Sequence, residues 1–264
     1  MKFCSIASGS SGNCIYVGSE NTHVLVDVGI SGKRVAGGLE QIEVRPDELS
    51  AILITHEHTD HISGLGVMAR KYHIPVYATA ETLDAILSTR SIGRIEESLL
   101  HDVRPDEKFS LGEFKIDPFS IPHDAANPVC YSLEAGNHKV AVATDLGQYD
   151  DYIVKHLEGA EILLLEANHD INMLEVGPYP YMLKKRILGE RGHLSNDNSG
   201  RLICRLFNDS LKYVILGHLS KENNYPALAY ETVKYELGQE QPGYEITCKI
   251  QVAKRDEPSL LITL

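Results

Sequence analysis

The 264-residue chain predicts an α/β fold in which β-sheets are sandwiched by helices. Three observations carry this expectation. Short β-like runs alternate with helical patterns along the chain. Several runs, such as "AILIT" (51–55) and "EILLLEA" (161–167), are apolar throughout, as strands covered on both faces must be. Four strand ends, "ILITHEH", "VAVATD", "LLLEANH" and "YVILGH", finish in polar or coordinating groups, where sites form in layered α/β proteins.

In chain order, β-propensity and flanking turn residues predict strands over 2–7, 14–18, 23–29, 51–55, 75–79, 114–119, 129–135, 138–145, 161–167 and 212–218. Helical periodicity predicts helices over 33–42, 63–72, 80–88, 149–156, 179–190, 196–207 and 222–238. The last opens at "SKENN" and closes at Gly238 as a C-cap. The Gly/Ser-rich "ASGSSGN" (7–13) lacks the Lys-Ser/Thr of a phosphate loop, so it reads as a hairpin turn between the first two strands. No linker or low-complexity segment splits the chain, which reads as one domain over 1–264.

Composition narrows the class. Hydrophobic residues are 43% and charged residues 23%, ordinary for a globular protein. No apolar run approaches the ~20 residues of a membrane span. "MKFCSIASGS" is too short and polar for a secretory signal, so a cytoplasmic protein is expected. Cys4, Cys14, Cys130, Cys204 and Cys248 are scattered without a CxxC pair, and read as buried reduced thiols. A net charge of −12 weighs mildly against a general nucleic-acid binder. Yet "LKKRILGERGH" (183–193) is locally basic, and bound cations would add positive charge at a site. The tyrosines of "YPY" (179–181) either stack on a base or simply pack.

The densest chemical signal is "HEHTDH" (56–61). Imidazole and carboxylate suit a borderline cation such as zinc. His56 and His58 lie two apart, so on an extended segment they project to one side. Asp60 and His61 follow a turn, at the start of the next helix, and enter the same cavity from another direction. This spacing suits two adjacent cations. His123 in "SIPHDAANP", Asp145 at the end of "VAVATD" and His218 at the end of "YVILGH" are the candidate partners, giving seven ligands. The solitary histidines His23, His73, His101, His138 and His156 read as ordinary surface or core residues.

With these residues in order, the chain resembles the metallo-β-lactamase superfamily. "THEHTDH" matches its HxHxDH signature, and Asp27 in "VLVDVG", His123, Asp145 and His218 match the remaining motifs. The resemblance implies a four-layer αββα sandwich with a dimetal site at one edge. It implies that His56, His58 and His123 hold one cation, that Asp60, His61 and His218 hold the other, and that Asp145 bridges. Asp27 would support the ligands from behind, as metal sites require. "GPYPYMLKKRI", "LEANHD", "GHLSNDNSG" and "LGHLSKENN" look like the YycJ/WalJ branch, which is linked to bacterial DNA processing and resembles tRNase Z and ribonuclease J in layout. By that layout Glu166 and His193 join Asp60 as catalytic groups; the other reading of "GHLSN" is a segment that merely caps the helix from 196. His169 is either a supporting group or a loop residue, and Ser11 or Asn13 would touch substrate. Neither an inserted β-CASP domain nor a long arm that clamps tRNA is recognisable in the sequence.

The expected activity is phosphodiester hydrolysis, most directly as a DNA exonuclease using two divalent cations. Asp60 would orient the attacking water and accept its proton, and His193 would stabilise the charge developing on phosphorus. Zinc leads as the cation, with manganese or iron also compatible with ligands that include no thiolate. Two alternatives stay open: a hydrolase of small esters or thioesters on the same fold, and a non-catalytic regulatory protein that keeps its metal. The oligomeric state has no signal in the sequence.

Overall fold

The computed structural model describes residues 1–240 and 247–264. Its strands are β1 (Lys2–Ala7), β2 (Cys14–Gly18), β3 (His23–Val26), β4 (Ala51–Leu53), β5 (Val76–Ala78), β6 (Leu100–Asp102), β7 (Phe109–Leu111), β8 (Phe114–Ser120), β9 (Val129–Ala135), β10 (His138–Ala143), β11 (Ile162–Glu166), β12 (Tyr213–Gly217), β13 (Lys249–Val252) and β14 (Ile262–Thr263). Its helices are α1 (Gly32–Gln41), α2 (Thr59–Ile62), α3 (Leu65–Tyr72), α4 (Ala80–Ser88), α5 (Asp151–Leu157), α6 (Ile171–Val176), α7 (Tyr181–Ile187), α8 (Asn196–Leu206) and α9 (Pro226–Glu240).

The strands form two seven-stranded sheets, ordered β14-β1-β2-β3-β4-β5-β6 and β13-β12-β11-β10-β9-β8-β7. The period-2 alternation of each strand explains why the runs are apolar throughout. In β11, Ile162 and Leu164 enter the core between the sheets. Leu163 and Leu165 enter a second core shared with Ile153 of α5, Leu202 of α8 and Val233 of α9. Facing it across the molecule, Leu25 and Ile52 of the first sheet pack on Val35 of α1, Met68 of α3 and Ile86 of α4. The layers therefore run helix, sheet, sheet, helix, as expected. Among the described residues no helix is long and apolar enough to cross a membrane, and none of the five cysteines is in a disulfide.

Direction within the sheets sets the site. β3 and β4 pair parallel, as do β10, β11 and β12. β8 and β10 are both antiparallel to β9, and so run alongside each other in direction. Six strands thus deliver their C-terminal ends to one edge. The two sheets are tied there by a hydrogen bond from Tyr131 Oη to the Ile54 carbonyl, 2.9 Å, and by one from Val129 N to the Thr55 carbonyl, 3.0 Å.

The differences from the expected elements have local causes. The strands predicted over 23–29, 138–145 and 212–218 stop at Val26, Ala143 and Gly217. Just beyond those ends, Asp27, Asp145 and His218 take φ of 61°, 62° and 53°, left-handed values that break a strand. The helix expected over 222–238 begins at Pro226, where the missing N–H of proline costs nothing, and runs through Gly238 to Glu240. Gly238 is therefore not its cap. The expected helix over 179–190 is shorter, Tyr181–Ile187. Strands β6, β7, β13 and β14 and helices α2 and α6 have six residues or fewer, too short for a periodic signal.

Candidate metal centre

The loop after β4 carries His56 and His58, and α2 carries Asp60 and His61. His58 is extended, with φ −62° and ψ 146°, immediately before α2 turns the chain. This puts His56 Nε2 3.0 Å from His58 Nδ1, on one side of the segment as the spacing predicts. A close backbone approach holds the loop in place. A Cβ on Gly29 would lie 1.6 Å from the Asp60 carbonyl oxygen, so only glycine fits there.

The loops after β8, β10 and β12 bring in His123, Asp145 and His218. Ligand atoms of His56, His58 and His123 lie within 4.8 Å of one another, as do those of Asp60, His61 and His218, and those of His56, His61 and Asp145. Asp145 lies between the two histidine sets: its Oδ2 is 3.2 Å from His61 Nε2 and its Oδ1 is 3.7 Å from His123 Nε2. Asp60 Oδ2 is 3.3 Å from His218 Nε2. All seven predicted ligands therefore meet at the common strand edge. Two of the seven, Asp145 and His218, and Asp27 behind them hold left-handed backbone, a conformation that costs of order 1–3 kcal/mol each and clusters at functional sites.

A test of whether these groups fit cations comes from the outward-facing ring nitrogens. The Thr55 hydroxyl donates to Asp27 Oδ2 at 2.9 Å, so its oxygen accepts from His56 Nδ1 at 3.0 Å. His61 Nδ1 donates to Asp27 Oδ2 at 2.8 Å, and His123 Nδ1 donates to the Gly192 carbonyl at 3.2 Å. His218 Nδ1 donates to Glu166 Oε1 at 2.7 Å. Each of these four rings, when neutral, must point a bare Nε2 lone pair inward. His123 Nε2 also lies 3.2 Å from His58 Nδ1. Asp145 Oδ2 is buried without a hydrogen-bond donor in good geometry. Inward lone pairs around an unsatisfied carboxylate are the donor set a pair of divalent cations needs.

Behind this layer, Asp27 also accepts from the Thr55 N–H at 2.9 Å. Glu166 is fully buried and accepts from four groups: His193 Nδ1 at 2.8 Å, His218 Nδ1 at 2.7 Å, Leu146 N at 2.9 Å and Leu194 N at 3.1 Å. Expected among the catalytic groups, Glu166 has no exposed surface, and its contacts are those of a positioning residue acting through His193 and His218. Asn13 is buried too, its Nδ2 3.3 Å from His61 Nε2. Ser11 is exposed and accepts from Arg255 Nη1 at 3.1 Å. His169 joins none of the ligand groups. Its Nε2 has no partner, and its carbonyl accepts from Asn196 N at 2.9 Å.

Charge follows geometry. Burial pushes His56 well below the usual histidine range, and burial also lowers His123, so both stay neutral. Burial acts the same way on His61 and His218, but Asp145 and the other carboxylates outweigh it. His61 is raised well above the ordinary value and His218 to about 10. Burial raises Asp60, yet His61 and His218 outweigh it and hold the carboxyl at about 2. The carboxylates thus favour the doubly protonated form of both rings, and a proton on Nε2 must leave before that nitrogen can face a cation. Metal loading is therefore expected to release protons, and affinity to rise with pH as proton competition fades. Calorimetry in buffers of different ionisation enthalpy reads this directly; a buffer-independent heat would contradict it.

Several groups here carry no motif. Thr55 links Asp27, His56 and His61, and its only sequence signal is its place ahead of the first histidine. Asn168 Nδ2 donates to the His218 carbonyl at 3.0 Å, and Asn224 Nδ2 to the Ala167 carbonyl at 2.9 Å and Asn196 Oδ1 at 2.8 Å. These buried amides lock the loops after β11 and β12 to the start of α8. Ser199 Oγ likewise donates to the Glu166 carbonyl.

A helix–sheet–sheet–helix sandwich with His and Asp groups suited to a dimetal site at one edge defines the beta-lactamase superfamily, and the chain belongs to it: the superfamily's domain model matches residues 22–215. Within it, the chain is 39% identical over 249 residues to exodeoxyribonuclease WalJ of Streptococcus pneumoniae serotype 2 (strain D39 / NCTC 7466), covering 94% of this chain and 93% of the relative. It is 37% identical over 254 residues to exodeoxyribonuclease YycJ of Bacillus anthracis, covering 93% and 92%. Human tRNase Z, short form, shares the fold with a TM-score of 0.67 at 16% identity, over 100% of this chain and 99% of that one.

Proposed function

We propose that the protein is a metal-dependent DNA exonuclease, working as a single unit over 1–264 in the cytoplasm. The observation that supports this most is the inward convergence of seven ligands on a chain similar along most of its length to two exodeoxyribonucleases. His56, His58 and His123 would hold one cation and Asp60, His61 and His218 the other, with Asp145 shared. Zinc suits this set of imidazole and carboxylate donors, and manganese or iron is the alternative that metal analysis of purified protein decides. When bound, two divalent cations acidify a water, polarise the scissile phosphodiester and offset charge on the leaving oxygen.

The protein's own groups do the rest. Asp60 is ionised, its side chain a quarter exposed, and it takes the proton of the attacking water. Burial lowers His193, but Glu166 beside it wins and raises it above the ordinary value. With Nδ1 committed to Glu166, His193 presents Nε2–H to the phosphate and to the departing oxygen. Asp27 and Glu166 fix the ring orientations from behind.

The test is a substrate panel on the metal-loaded protein: end-labelled single- and double-stranded DNA, bis-p-nitrophenyl phosphate, a thioester and a β-lactam. Stepwise release of nucleotides from DNA ends, abolished by a chelator and restored by metal, is expected. Strong thioester turnover with no phosphodiesterase activity would overturn the reading.

A further inference from the structure

The α6–α7 segment beside the metal centre has no role in that account, yet exposed apolar and basic side chains meet there. Val176, Tyr181, Met182 and Leu188 are exposed, Tyr181 by 75%. Four cations, Lys184, Lys185, Arg186 and Arg191, lie within eight residues with one carboxylate, Glu190, in a chain of net charge −12. A cavity of about 440 Å³ opens between α6 and α7, lined by Glu175, Tyr181, Lys184, Lys185, Leu188 and Gly189.

The segment is fastened to the site at two points. Arg186 pairs with both oxygens of Asp124, at 2.5 and 2.9 Å, next to His123. The Gly192 carbonyl orients the His123 ring, and His193 follows directly. Two of the four cations have internal work: Arg186 holds Asp124, and Lys184 donates to the Glu175 carbonyl at 2.7 Å. Among the described residues Lys185 and Arg191 have no ion pair or side-chain hydrogen bond. Lys185 lines the cavity with the exposed Tyr181, and Arg191 directly precedes the Gly192 carbonyl at His123. Unpaired cations between an exposed aromatic ring and a phosphodiesterase site match a polyanion with unpaired bases.

We infer that α7 is the platform on which the single-stranded DNA segment next to the scissile bond lies, with Lys185 and Arg191 on its phosphates and the Tyr181 ring stacked on a base. The inference rests on the nuclease reading above. It assigns Arg186 to positioning of the 123–124 turn. An unpaired strand is required because a base within a duplex offers no free face to the ring. An anionic lipid surface would also meet apolar and basic groups, but it would not need them attached to His123.

The test compares the wild type with Tyr181→Ala and with Lys185→Gln/Arg191→Gln, all metal-loaded. The readouts are the affinity for a fluorescein-labelled phosphorothioate single strand that resists hydrolysis, the KM and kcat on cleavable single-stranded DNA, and the turnover of bis-p-nitrophenyl phosphate. Tyr181→Ala is expected to weaken strand binding roughly 10-fold. The double variant is expected to lower the slope of log affinity against log salt by about 0.7 per cation removed. In both, KM rises, kcat changes little and the small diester turns over as in the wild type. Wild-type strand affinity and salt slope in these variants, with DNA cleavage intact, would overturn the platform and leave the nuclease reading standing. Strand binding that the variants lose, in a protein that cleaves no DNA, would keep the platform and remove the nuclease reading. Adhesion to phosphatidylglycerol vesicles that the variants lose, with strand affinity unchanged, would assign the patch to a membrane and overturn the proposal.

Discussion

Asp145→Ala is expected to lower metal-dependent DNA cleavage by roughly 10³-fold or more and to leave the protein unable to hold two cations at once. Asp145 is the carboxylate between the two histidine sets, with one oxygen toward His61 and the other toward His123. Without it, His61 and His218 lose the charge that most raises them. Asp145 is buried among His61, His123, His193 and His218. Its removal therefore also costs stability, about 3–5 kcal/mol, and a thermal melt of the variant shows that the folded protein is the one assayed. Elemental analysis beside the cleavage assay separates the two losses. Activity and metal content at wild-type level would remove Asp145 from the site.

Removal of Glu166 is expected to damage fold and site together. Four donors converge on its two oxygens with no solvent to replace it. Removing one partner of such a buried charged network costs about 3–5 kcal/mol, and loss of support behind a ligand costs about 10–100-fold in metal affinity or activity. Glu166→Gln folds but cannot satisfy all four donors, because its NH₂ must face either the two histidine N–H groups or the two backbone N–H groups. The pH dependence has a sign. Burial raises the carboxyl, but His193 and His218 outweigh it and hold it at about 2, against an ordinary 4.5. A depressed carboxylate stabilises the fold fully above its unfolded value and loses that contribution as pH falls from about 4.5 toward 2. The wild type should therefore lose more stability than Glu166→Gln between those values. Thermal melts of the metal-free proteins across that range measure it, and parallel acid curves would contradict the assigned role.

The layer order and the seven converging groups were legible in the sequence because both are periodic or clustered signals. Apolar runs such as "ILLLE" require cover on both faces, and β11 has it. "HEHTDH" concentrates ligands in six positions, and each distant partner ends a strand. What the sequence did not disclose is the geometry at those ends. Asp27, Asp145 and His218 bend out of their strands through left-handed backbone, which no pattern of hydrophobicity records. Thr55, Asn168 and Asn224 act through single hydrogen bonds to neighbours that only the fold brings close. "SKENN" resembled a helix start because Ser and Asn favour caps, yet Asn223 and Asn224 serve the site's loops: the Asn223 carbonyl accepts from Asp170 N. Glu166 was legible as a residue of interest, but its complete burial, and hence its positioning role, was not.

The most direct measurement is anomalous diffraction from metal-loaded crystals. Two peaks are predicted at the strand-end edge, one against His56, His58 and His123 and the other against Asp60, His61 and His218, with Asp145 reaching both. A fully loaded protein with its metal elsewhere, or with a single peak that Asp145 does not touch, would contradict the paired centre.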